Sequence, residues 1–118
     1  MKKAFGDYVR KRRETMLELS PDFTIRKLAA RMGIQPSYIS KVERKEVPPP
    51  SEETITRLAE ALQEDPDILL AMAGKVSSDL RQVIVNRPKL FAGLIRQLKN
   101  KPDHVILRVV RDAQDGDK

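Results

Sequence analysis

The chain has 118 residues, 40% hydrophobic and 34% charged, which suits one small domain or a small domain with an appendage. With no Cys and a single His, it has no disulfides, thiolate chemistry or multi-histidine metal sites, and no metal or other cofactor is expected. Lys and Arg number 23 against 17 Asp and Glu, giving +6 and a pI near 9.8, a balance suited to a polyanionic partner.

The opening stretch Met1-Lys2-Lys3-Ala4-Phe5-Gly6-Asp7 runs from positive charge straight into polar residues, so no secretory leader is expected. No later run approaches the roughly 20 apolar residues that span a bilayer, and a cytoplasmic, prokaryotic-type protein without membrane contact is expected. Phe5, Val9, Arg12/Arg13, Met16 and Leu17 recur at helical spacing and predict a first helix over about 4–18, ended by Ser20-Pro21-Asp22. Thr24 caps a second, short helix with Ile25, Leu28, Ala29 and Met32 inward, and Gly33 stops it. Pro36 opens a third helix whose apolar stripe is only Ile39 and Val42, with Ser37, Tyr38, Ser40, Lys41 and Arg44 on its other faces.

After the stiff Pro48-Pro49-Pro50 connector, Ser51 followed by Glu52 and Glu53 starts a fourth helix that runs to about Leu62. Asp65-Pro66-Asp67 starts a fifth, carrying Ile68, Leu69, Leu70 and Met72 to Gly74. Ser78 caps a short helix with Leu80, Val83 and Ile84, and Arg87-Pro88 opens another with Leu90, Phe91, Leu94, Ile95 and Leu98. Val105 to Val110 is β-rich and open to a strand reading, but the Pro102-Asp103 opening and the preceding helices favour a helix. Residues from Asp112 onward read as frayed.

Charge follows this division. Residues 1–50 hold 12 Lys and Arg against 6 acids, residues 51–75 hold 2 against 6, and residues 76–118 hold 9 against 5. Within 25–44, Ala29 lets two helices approach closely, Gly33 supplies a positive φ four residues later, and Leu28, Met32, Ile34, Ile39 and Val42 form an interior seam. These are the demands of a helix-turn-helix. The third helix is left to project its polar face.

At this point residues 5–74 resemble the Xre/Cro/phage-repressor family of helix-turn-helix regulators. Phe5-Gly6, Thr24-Ile25-Arg26-Lys27-Leu28-Ala29, Gly33-Ile34, Tyr38-Ile39-Ser40-Lys41-Val42-Glu43 and Leu58-Ala59-Glu60-Ala61-Leu62 carry the resemblance. It implies an all-α fold, a five-helix lambda-repressor-like DNA-binding bundle over 1–75, here with a C-terminal helical extension over 76–118. It also implies that the third helix enters the major groove of double-stranded DNA and that the protein binds a palindrome as a homodimer.

Carried over, the resemblance places base reading on Pro36, Ser37, Ser40 and Lys41. Lys41 is the candidate for a guanine, because an ammonium donates to O6 and N7. Gln35 either caps the third helix or reaches an adenine or phosphate. Phosphate contacts fall to Arg26, Lys27, Tyr38, Arg44 and Lys45, with backbone N–H groups at the Thr24 and Gln35 helix starts. Tyr38 has the alternative of covering the second helix. Arg10, Lys11, Arg12 and Arg13 read as solvated or paired with Glu14 and Glu18, a DNA role being the alternative, and Glu43 as holding the helix through a nearby Arg. The family commonly has Gly where this chain has Lys45, and a left-handed non-Gly residue there costs about 1–2 kcal/mol.

The tail exceeds what the bundle needs, and Leu90, Phe91, Leu94, Ile95 and Leu98 are expected to form a dimer interface, the alternative being a lid folded back on its own domain. The expected function is a dimeric, sequence-specific repressor with no catalytic step. The alternative is an antitoxin-like or coactivator-like module that grips a protein partner through the C-terminal extension and binds DNA secondarily.

Overall fold

Serine, threonine, aspartate and proline punctuate the computed structural model, which describes residues 3–116, into eight α-helices. Helix α1 spans Lys3–Leu19, one residue longer at each end than its apolar spacing predicts. The Ser20-Pro21-Asp22 sequence does more than end it. Ser20 Oγ accepts the Asp22 N–H at 3.2 Å and starts a 3-10 turn, Pro21–Phe23, that buries Phe23.

Helix α2, Ile25–Met32, begins where Thr24 Oγ accepts the Lys27 N–H at 3.2 Å and ends at Gly33, whose φ of 69° is left-handed. Helix α3, Pro36–Glu43, follows directly; Gln35 stands at its cap position without a side-chain bond, so the capping alternative for that residue is not realised. Helices α4, Glu52–Ala61, and α5, Pro66–Met72, start on Ser51 and Asp65, whose side chains accept the Thr54 and Asp67 N–H groups. Only Leu69 and Leu70 of α5 are buried; Ile68 lies outward, because two residues' separation on a helix turns it well over a quarter circle from Leu70.

The chain divides into two compact units, Met1–Ser78 and Asp79–Lys118. In the first, α4 packs on α5, α2 on α3, and α1 lies across the 3-10 turn, α3 and α5. Leu28, Ala29, Ile55, Ala59, Leu62 and Leu69 are wholly buried, and truncating one of the larger of them costs about 2–5 kcal/mol. Where α1 meets the end of α3 the backbones touch: a Cβ on Gly6 would stand 2.5 Å from the Val42 carbonyl oxygen, so only glycine fits.

The basic run on α1 departs from the sequence reading. Arg10 does pair with Glu14, at 3.5 Å, but Arg12 bonds Glu64 at 3.0 Å and donates to the Leu62 carbonyl, while Arg13 is buried against α3. Arg13 Nε and Nη2 reach the two Glu43 carboxylate oxygens at 2.6 and 3.0 Å, and Nη1 donates to the Phe23 carbonyl at 3.3 Å. These bonds to Glu43 hold the Arg13 guanidinium above its ordinary pKa. Spacing alone pointed to the near partners at i+1 to i+5; packing delivered one 30 residues away.

The second unit carries α6, Ser78–Asn86, α7, Pro88–Leu98, and α8, Asp103–Asp115. Residues 105–110 are therefore helical, and α8 continues through Asp112–Asp115, where fraying was expected. Val105, Val109 and Ala113 recur every four residues, a helical period that outweighs the β-propensity of the individual residues.

Breaking the buried ion pair from one side leaves a charge without its partner. Glu43→Ala should lose about 3–5 kcal/mol of stability, while the double change Arg13→Met with Glu43→Leu should recover most of it; urea unfolding of the three proteins measures both.

Candidate functional site

The polar face of α3 is assembled by what its other face buries. Ile39, Val42 and Glu43 point inward, which turns Ser37, Lys41 and Arg44 outward at i, i+4 and i+7, all exposed. This ridge spans about 10 Å, equal to roughly three base-pair steps along a duplex strand. Gln35 and Pro36 are exposed at its N-terminal end.

Ser40 and Tyr38 occupy the flanks and are half-buried. Ser40 lines a shallow depression of about 180 Å³ with Arg10, Arg13, Ile25, Glu43 and Arg44. The depression joins α1, the start of α2 and the middle of α3. Tyr38 lies on the opposite flank, packed against the core beside Met32, Ile34, Pro50 and Thr54.

The charges of the site are sorted by pairing. Lys27 faces Asp22 at 3.8 Å, Arg44 pairs with Glu46, and Lys45 Nζ lies 3.0 Å from both Asp7 carboxylate oxygens. Among the described residues no carboxylate is within ion-pair distance of Lys41 or Arg26. Exposed pairs of this kind are worth about 0–1 kcal/mol, so an incoming anion displaces them readily. The Arg13–Glu43 pair is neutral as a unit and buried, and belongs to the scaffold.

Thr24 spends its hydroxyl on the Lys27 N–H, leaving the Ile25 and Arg26 N–H groups at the start of α2 without intrahelical acceptors. Arg10 stands on the far wall of the depression; in the sequence a DNA role is only the alternative for the whole basic run 10–13, and a run does not say which of its four cations faces α3.

Lys45 takes the left-handed conformation, with φ 63°. Its Cγ lies against the Gly6 position, and its ammonium pairs with Asp7 on α1. Among the described residues, no cluster of three or more His, Cys, Asp or Glu is placed to hold a metal, and no helix is long and apolar enough to cross a membrane. A family model described as helix-turn-helix matches residues 9–69, just over half of the chain. No curated protein and no solved structure matches it.

The conformational strain at Lys45, about 1–2 kcal/mol, exceeds what an exposed ion pair returns. Lys45→Gly should therefore raise the unfolding midpoint in urea despite losing the bond to Asp7.

Proposed function

The chain belongs to the helix-turn-helix family of Xre/Cro type, a DNA-binding transcriptional regulator, and on that premise we propose that it is a cytoplasmic, dimeric repressor reading a palindromic operator. The observation that carries the reading is the outward ridge of α3, with Lys41 exposed and unpaired at its centre. An ammonium held there without a carboxylate is available to guanine O6 and N7, and Ser37, Ser40, Pro36 and Gln35 surround it as the remaining base-reading side chains.

Phosphates fall to the flanks. The depression between Arg10, Ile25, Ser40 and Arg44 fits one, with the free N–H groups at the start of α2 as donors and Arg26 and Lys27 beside them. Arg44 and Lys45 serve the strand facing the end of α3, and Tyr38, in the first turn, the phosphate on its own flank. The acidic stretch 51–75 belongs to the surface turned away from DNA.

One ridge of about three base-pair steps discriminates poorly by itself, and twofold pairing places a second copy on a half-site one helical turn away, about 34–36 Å. Leu90, Phe91, Leu94, Ile95 and Leu98 of α7 are the proposed pairing surface. Leu90, Leu94 and Ile95 are exposed on α7, while Phe91 and Leu98 are half-buried.

Selection of bound DNA from a random pool should return an inverted repeat. On that sequence Lys41→Ala should abolish discrimination at one base position in each half-site, costing about 1–3 kcal/mol there. Arg44→Ala should instead weaken all sequences alike and lower the salt slope by about one. Binding titrations at several salt concentrations distinguish the two outcomes.

A further inference from the structure

Four of the cations assigned to phosphates share a property that Lys41 lacks: each has a carboxylate of its own. Arg10 lies 3.5 Å from Glu14, Lys27 lies 3.8 Å from Asp22, Lys45 lies 3.0 Å from Asp7, and Arg44 pairs with Glu46. Asp7 and Glu14 stand on α1, Asp22 in the 3-10 turn and Glu46 just beyond α3, so three separate elements supply them. All eight side chains are between 40% and 66% exposed. In the pairs that join helices, Arg12–Glu64 and Arg13–Glu43, the carboxylates are only 17% and 4% exposed.

Pairs so exposed contribute little to folding. They matter to an incoming polyanion for a different reason. A cation that meets a phosphate gives up or shares its carboxylate, and the carboxylate then faces the negative charge of the DNA. Lys41 has no carboxylate within ion-pair distance among the described residues, so a base edge meets no such rival.

We infer that Asp7, Glu14, Asp22 and Glu46 are built-in competitors of the DNA phosphates, weakening the hold on DNA of every sequence while leaving the base contact of Lys41 untouched. The inference rests on the proposed phosphate contacts of Arg10, Lys27, Arg44 and Lys45 and deepens them. With the phosphate cations competed for and the base-reading cation not, base recognition supplies a larger share of the binding free energy than it would on a face of unpaired cations.

The test uses the full chain and duplex DNA of random sequence, with affinity read by titration at one fixed salt concentration. Lys45 Nζ is 3.0 Å from both Asp7 oxygens, so Asp7→Asn removes the best-placed competitor while keeping the size of the side chain. It should raise affinity by about two- to fivefold, the equivalent of an exposed pair. Glu46→Gln should do the same beside Arg44, and Glu60→Gln, exposed on α4 and paired with none of these cations, should change nothing. Competition requires the cation, so in a Lys45→Met background Asp7→Asn should lose most of its gain, whereas simple repulsion between Asp7 and DNA would survive there. A gain undiminished without Lys45 overturns the inference, as does an equal gain from Glu60→Gln. If Lys45→Met weakens binding and Asp7→Asn leaves it unchanged, the competitor role is wrong while the phosphate contact stands. If Lys45→Met leaves binding unchanged, the phosphate assignment of Lys45 fails and the competitor role of Asp7 fails with it.

Discussion

The Arg13–Glu43 ion pair is the interaction on which the rest of the DNA-facing surface depends. It joins the middle of α1 to the last turn of α3, with both side chains almost wholly removed from water. Removing two charges from water is costly, and the pair repays it only through a two-pronged geometry in which the guanidinium fork meets both carboxylate oxygens and a backbone carbonyl takes a further N–H. A purely apolar contact would hold α3 in place but allow it to slide or roll. The directional bonds of the pair oppose both movements. They set which residues of a short helix, apolar only at Ile39 and Val42, face away.

The Gly6 approach reinforces the same joint from the other side. With no Cβ at Gly6, α1 comes against the Val42 carbonyl, and the chain leaving α3 has to turn sharply at once. Lys45 makes that turn in a strained left-handed conformation, its stem against Gly6 and its ammonium on Asp7. Glycine would turn there with less strain, but would bring no cation to the end of the recognition ridge. The exposed cations around the ridge are mostly held by nearby carboxylates, weak pairs that keep them ordered and that phosphate can replace. Lys41 stands outside this arrangement, exposed and without a carboxylate in reach among the described residues.

The two units meet opposite physical problems. Five helices over the first 78 residues enclose a core with fully buried Leu, Ile and Ala side chains. The three helices that follow, α6, α7 and α8, bury no residue fully.

Much of this was legible from the residues alone, because caps, prolines and glycines act locally. Thr24, Ser51 and Asp65 begin helices by accepting N–H groups two or three positions on, Gly33 ends one with its left-handed φ and Pro36 opens one with its fixed φ, so the helix-turn-helix and its outward residues could be placed before any packing was known. The 3-10 turn after α1, the full length of α8 and the destination of each arginine could not. Arg10, Arg12 and Arg13 are neighbours of one chemistry in one run, yet one pairs along its own helix, one reaches the turn after α4 and one is buried against α3. A helix turns by about 100° per residue, so adjacent side chains face different surroundings, and only the tertiary arrangement determines what those are. The sequence by itself determined the family, the helices and the outward side of α3; the tertiary structure decided which cations are scaffold and which stay exposed, because that depends on partners up to 52 residues away.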